Sequence, residues 1–154
     1  MSLAVRFGGA LAWVALSLEP AAVCAADAIA GDYLTAPRKV CFFGMQRPDG
    51  RSYGADCSVG RDKLTIQAVP AGHAVSLVFV FHNGHMCEFN GEGTLQPRKP
   101  GARLTAVDPQ VRDCPLTIDF KGRAIRLTQS EQCRSNFCGL RAGMDGTVLY
   151  RQAR

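Results

Sequence analysis

Ala74-Val-Ser-Leu-Val-Phe-Val-Phe-His-Asn-Gly-His-Met-Cys-Glu-Phe-Asn90 decides how the fold is read. Its first half is dense in Val and Phe, residues that fit a pleated, half-buried surface. Asn83-Gly84 is the favoured type I′ pair, because both central positions of that turn need positive φ. Two strands folded back on each other are therefore expected, over residues 74–82 and 85–95. A two-residue turn sets His82 opposite His85, Val80 opposite Cys87 and Val78 opposite Phe89, all on one face. Leu77, Phe79 and Phe81 then share the other face with Met86, Glu88 and Asn90. Both faces are partly apolar, which expects this hairpin at the centre of a sheet and not at its edge.

The same pattern continues on either side. Leu64, Ile66 and Ala68 alternate with Thr65 and Gln67, the period of a half-buried strand. Residues 31–34 and 40–43 are shorter candidates, separated from Leu64 by the turn sequence Arg47-Pro-Asp-Gly-Arg51. Downstream, residues 103–107, 116–120 and 125–127 read as strands, with Lys121-Gly122 a tight turn and Val148 and Tyr150 a closing run. No stretch sustains a 3.6-residue period with caps. The expected fold class is all-β, a small antiparallel sandwich or barrel stapled by disulfides, with under about a fifth helix.

Residues 1–25 have the organisation of a signal peptide. Arg6 precedes an apolar run over residues 7–18, and Ala21-Ala-Val-Cys-Ala-Ala26 offers cleavage after Ala25. That run is shorter than the roughly 18 apolar residues a membrane span requires, and no later segment reaches it. A single exported β domain over residues 26–154 is expected, in the periplasm or secreted. Cys24 as a lipid-modified cysteine is disfavoured, since Ala21-Ala-Val lacks the usual leucine and small final residue.

Without Cys24, six cysteines remain: Cys41, Cys57, Cys87, Cys114, Cys133 and Cys138. An even set in an oxidising compartment implies a disulfide framework. Six cysteines allow fifteen connectivities, which sequence cannot distinguish. The pairs adopted as an expectation are Cys41–Cys57, closing a turn, Cys87–Cys114, tying the hairpin to the later sheet, and Cys133–Cys138.

The net charge is +5, and Arg6 and Glu19 cancel within the leader. A mild, distributed excess suits an unknown protein partner bearing carboxylates or an anionic envelope component. Nucleic acid is not expected, because no basic stripe is interleaved with aromatics. Cys133-Arg-Ser-Asn-Phe-Cys-Gly-Leu-Arg-Ala-Gly-Met-Asp-Gly146 is neither a regular helix nor a strand. Arg134, Asn136, Phe137 and Arg141 give it planar donors and an aromatic anchor, the composition of an interface hot spot. The competing reading is structural, with Arg141 and Asp145 satisfying each other and the backbone of a compact loop.

Catalytic chemistry finds little support. Glu88 and Glu92 on one strand lie roughly 13 Å apart along the backbone, wider than the 5–9.5 Å of glycosidase carboxyl pairs. There is no Gly-x-Ser-x-Gly elbow, and all three histidines fall within residues 73–85. Cys133-x4-Cys138 lacks thioredoxin-like spacing. His82, His85 and Cys87 form the one candidate metal or redox cluster, without an evident fourth ligand. No catalytic residue, resident metal or cofactor is assigned. The function expected is a non-catalytic exported binding protein, with a small metal-binding or redox protein as the alternative.

The Gly31-x-Tyr33 start, the Asn83-Gly-His-x-Cys87 hairpin and Cys138-Gly-x-Arg-Ala142 together resemble small exported bacterial proteins of unassigned activity. In architecture the chain also resembles periplasmic lysozyme inhibitors, small β-rich disulfide proteins that plug a hydrolase cleft with a loop. The resemblance implies an inhibitor or immunity-type factor against a secreted cell-wall hydrolase. The signature loops of those inhibitors are absent, so it carries over no residue. A +5 protein would also lose electrostatic steering toward a basic lysozyme.

Overall fold

The alternating segments become the strands of a closed barrel. A computed structural model of the chain describes residues 28–42, 49, 56–81, 85–139 and 142–153. The expected leader, the Asn83-Gly84 turn and all of the Arg47–Arg51 turn except Asp49 lie outside them. The strands in chain order are β1 (Gly31–Leu34), β2 (Arg38–Phe42), β3 (Asp56–Gly60), β4 (Lys63–Val69), β5 (Gly72–Val80), β6 (Met86–Pro97), β7 (Ala102–Val107), β8 (Leu116–Lys121), β9 (Ala124–Thr128) and β10 (Val148–Arg151). From β4 to β10 each strand pairs antiparallel with its successor, and β1 enters between β4 and β10 to close an eight-stranded ring. The sandwich alternative is thereby excluded. Strands β2 and β3 form a separate two-stranded ribbon.

Inward-facing positions follow the period of two. Leu64 and Ile66, Val75, Leu77 and Phe79, Leu104 and Ala106, Leu116 and Ile118, and Ile125 and Leu127 are all buried in one cluster. Outward positions along the same strands are exposed or half-buried. Where β6 crosses β7, Gly91 and Gly93 replace side chains. A Cβ on Gly93 would sit 2.5 Å from the Thr105 carbonyl oxygen, so only glycine allows this approach.

The central hairpin forms, in a different register from the expected one. Phe79 faces Cys87, Leu77 faces Phe89, Val78 faces Glu88 and Val80 faces Met86. The Phe81 N–H donates to the His85 carbonyl at 2.7 Å, so three residues and not two separate the strands. A one-residue slip moves each strand's partners to the other face. The register adopted buries Leu77, Phe79, Cys87 and Phe89 together, each at most 1% exposed. The two-residue turn would have set those four on opposite faces, and burial outweighs the turn preference.

Antiparallel order sorts the connections between two ends. One end, the termini end, gathers residues 28–30, the β4–β5, β6–β7 and β8–β9 connections, and residues 152–153. The other end gathers the β5–β6, β7–β8 and β9–β10 connections and the entry to the β2–β3 ribbon. Asp62, 6% exposed, fastens that ribbon. The Arg38 guanidinium grips both carboxylate oxygens, with Nη2 at 2.9 and 2.8 Å and Nε at 3.1 Å. The Val80 N–H donates to Asp62 Oδ1 and the Asp62 N–H to Thr35 Oγ1, each at 2.9 Å.

Burial separates the worth of the charge pairs. Asp62→Ala leaves the partly buried Arg38 guanidinium and the Val80 N–H without their acceptor and is expected to lower unfolding free energy by about 2 kcal/mol in denaturant titration. Lys63→Ala, which breaks an exposed pair with Asp32, is expected to cost under about 1 kcal/mol. Acid acts through Asp119. The Arg103 side-chain hydrogen bond holds its carboxyl below the usual 3.8, aided by the Arg103 and Arg98 charges and opposed by desolvation. A lowered folded pKa means this stabilisation is present above about pH 4 and is lost as pH falls through the folded value. Asp119→Asn should therefore flatten the acid limb of a stability-against-pH curve below pH about 4, while lowering the neutral plateau.

Candidate functional site

Residues 129–146 link β9 to β10 and close the end of the barrel opposite residues 28–30 and 152–153. Gln129 continues the inward series of Ile125 and Leu127, but with a polar side chain at a buried position, 6% exposed. A 3₁₀ turn at Glu131–Cys133 and a helical turn at Arg134–Phe137 follow. Phe137, Ala142 and Met144 point into the core, while Arg134, Ser135 and Asn136 remain exposed. Gly146, with φ of 73°, makes the final turn, and the Leu127 N–H and carbonyl pair with Thr147 and Gly146. The segment is thus a plug with an apolar inner face and a polar outer one, and this end is the plugged end.

Two disulfides fix the plug to the barrel. Cys138 bonds to Cys87 at the start of β6, and Cys133 bonds to Cys114 just before β8. Cys41–Cys57 forms as expected, between directly opposed residues of β2 and β3. The expected pairs Cys87–Cys114 and Cys133–Cys138 do not form. Cys133 and Cys138 flank a helical turn, one bonded to the β7–β8 connection and the other to β6, so the brace joins the loop to the barrel and not to itself. Cys138 also makes an isolated bridge to Cys87, and the Gly139 N–H donates to the Met86 carbonyl at 3.0 Å.

The residues expected to meet a partner separate. Arg134 is available: its side chain is half exposed, with Nη1 3.0 Å from the carboxylate of Glu131. Asn136 is exposed, and its Nδ2 donates to Cys114 Sγ at 3.0 Å, which orients it. Phe137, expected as an aromatic anchor, is 8% exposed and packs edge-on against Phe89 with ring centroids 5.1 Å apart. It anchors the plug to the core and offers no contact area. Arg141 lies outside the described residues. Asp145, expected to pair with Arg141, accepts the Gln129 N–H at 3.0 Å.

Beside Arg134 is a recess of about 250 Å³, lined by Gln129, Ser130, Glu131, Arg134, Gly143 and Asp145 among others. The Arg134 stem runs along Gly143, where a Cβ would lie 3.5 Å from its Cδ. Gln129 Nε2 is buried and has no hydrogen-bond partner among the described residues. Gln129 and Glu131 were not singled out from sequence. The signal was present: Gln129 is a polar residue at the next inward position of an apolar alternation.

The His82, His85 and Cys87 cluster does not assemble as a ligand set. Cys87 is fully buried and spent in a disulfide, and His85 packs against Gly139. His82 lies outside the described residues, among which no group of three His, Cys, Asp or Glu could hold a metal ion. Glu88 and Glu92 are exposed outward positions of β6. No helix among the described residues is long and apolar enough to cross a membrane.

No known protein family, curated protein or solved structure matches the chain.

The plug's stability should depend on its longest tether. Cys87 and Cys138 are 51 residues apart, and the loop-entropy relation gives about 4 kcal/mol for closing such a loop. The Cys87→Ala/Cys138→Ala double variant is expected to lose about that much in denaturant titration. Non-reducing peptide mapping of the unaltered protein should recover Cys87–Cys138 and Cys114–Cys133.

Proposed function

We propose that this protein is a non-catalytic binding protein of the cell envelope or the secreted space, of the inhibitor or immunity kind, and that its partner is a secreted cell-wall hydrolase. The contact surface in this reading is the outer face of the plug, centred on Arg134 and the adjoining recess. One observation carries it: two cysteines five positions apart are each bonded to a different part of the barrel. A segment held this way loses little conformational entropy on docking, so more of its interaction energy appears as affinity. Three disulfides also fit an oxidising compartment.

The chemistry of the surface narrows what it would accept. Arg134 is a half-exposed donor, and its guanidinium can meet a carboxylate bidentately. Glu131 and Asp145 on the rim supply acceptors for a basic or amide-bearing neighbour. A protein loop carrying a carboxylate beside polar groups fits both features.

The test is titration of the purified protein into a panel of peptidoglycan hydrolases, following residual activity. Stoichiometric inhibition of at least one is expected. Arg134→Ala should weaken it by about 2 kcal/mol, roughly thirtyfold, with an unchanged Tm. If no hydrolase in the panel is inhibited, the inhibitor reading fails. If inhibition survives Arg134→Ala within about twofold, the contact lies away from this residue.

A further inference from the structure

The termini end of the barrel is chemically unlike the rest of the surface. Among the described residues, its connections (69–72, 97–102 and 121–124) and the first and last described residues (28–30 and 151–153) contain Arg98, Lys99, Lys121, Arg123 and Arg151, and no aspartate or glutamate. On the barrel wall and at the plugged end, several cations are matched: Arg38 with Asp62, Lys63 with Asp32, Arg103 with Asp119, and Arg134 with Glu131. Lys99 and Lys121 have no such partner among the described residues. Arg123 donates to the Arg151 carbonyl at 3.3 Å and meets no acid. Arg98 lies 3.7 Å from Asp119, whose two oxygens Arg103 already holds at 2.7 and 2.8 Å.

The fold brings these cations together. The β6–β7 and β8–β9 connections, distant in sequence, become neighbours because β7 and β8 are adjacent, with Ala102 opposite Phe120. Gly101 fits so tightly against the Phe120 carbonyl oxygen that a Cβ would collide with it, which presses the Arg98–Lys99 loop onto the β8–β9 turn. Other exposed residues at this end, Pro70, Ala71, Pro97 and Pro100, are uncharged. The cations stand on the tips of two turns, spread across one end. That arrangement suits a surface carrying many anions better than one small anion, which would need donors converging on a point.

We propose that the termini end, through Arg98, Lys99, Lys121 and Arg123, docks the protein on an anionic phospholipid surface. The cations lie at an extremity of the barrel and can reach the headgroup layer together, inside the Debye length over which the attraction acts. Guanidinium groups of Arg98 and Arg123 can take headgroup phosphates bidentately, and the two lysines act as point charges. The inference is independent of what the plugged end binds.

Co-sedimentation with vesicles tests it. The probes are phosphatidylcholine vesicles with and without phosphatidylglycerol, each at about 0.1 M and 0.5 M salt. Binding is expected only with the anionic vesicles and only at the lower salt. Each basic residue contributes about fivefold, so Lys99→Gln/Lys121→Gln/Arg123→Gln should weaken binding about a hundredfold. Arg112→Gln, on the β7–β8 connection at the other end, should change it less than about twofold. An unchanged Tm for both variants establishes that the fold is intact. No binding to anionic vesicles, equal binding to neutral ones, or full binding by the triple variant would each overturn the proposal. So would binding to soluble polyphosphate without binding to vesicles.

Discussion

Closure of the ring by four residues is the constraint on which the rest of this molecule depends. A seven-strand meander from β4 to β10 would leave two edges with unpaired N–H and C=O groups, a template for aggregation. Strand β1 removes both edges at once, pairing residues 31–34 with 63–66 and Tyr33 and Leu34 with Arg151 and Tyr150. The β1–β10 contact spans more than a hundred residues of chain, so its loop-closure cost must be met by contacts made late. Side chains supply them. Tyr33 is buried, with its hydroxyl donating to the Ile29 carbonyl at 2.7 Å, and Arg151 Nη2 donates to the Ala30 carbonyl at 2.7 Å. The Gln152 N–H adds a bond to the Asp32 carbonyl at 2.9 Å. Both described chain ends are thereby stitched to one end of the barrel.

Closure creates a second problem, because the chain must leave the ring after β1 and re-enter at β4. The excursion is the β2–β3 ribbon, and a two-stranded ribbon alone is marginal in water. Cys41–Cys57 joins its directly opposed residues, and Asp62 binds its base to the barrel. A carboxylate this buried is tolerable only when its lone pairs are filled. Arg38 and the Val80 N–H fill them, and the same guanidinium lies 5.1 Å above the Phe81 ring. The ion pair's role is geometric: it fixes where the ribbon emerges relative to β5.

The strands were legible because a barrel writes its interior into every second residue. Leu64 and Ile66, Leu116 and Ile118, and Ile125 and Leu127 needed no tertiary information. The hairpin register was not legible from Asn83-Gly84, because local turn preference and burial of Leu77, Phe79, Cys87 and Phe89 point to registers one residue apart. Connectivity of the last four cysteines was illegible for a related reason. Cys114 and Cys133 meet only because the β7–β8 and β9–β10 connections share an end, a fact of topology and not of spacing. Phe137 was misread through its polar neighbours. In a four-residue helical turn only Phe137 is buried while Arg134, Ser135 and Asn136 are exposed, and no period extends far enough to reveal that from sequence. The clustering of Arg98, Lys99, Lys121 and Arg123 was hidden likewise, since in sequence these cations are merely scattered.

The two ends are chemically distinct and electrostatically separate. A six-residue strand such as β8, at about 3.3 Å per residue and tilted by about 40° as barrel strands are, gives the barrel wall an axial length of roughly 15 Å. That is about two Debye lengths at physiological salt, about 8 Å each, so exposed charges at one end are largely screened from the other. Glu131 and Asp145 at the plugged end therefore would not repel an anionic surface that the termini end approaches. On the wall between them, Arg103–Asp119 and Lys63–Asp32 are matched locally. A barrel held by its termini end would direct the plug away from the surface, with the recess beside Arg134 open to solution. Closure by β1 makes this division possible: it gathers both described chain ends on one side and leaves the whole opposite end to the disulfide-held segment.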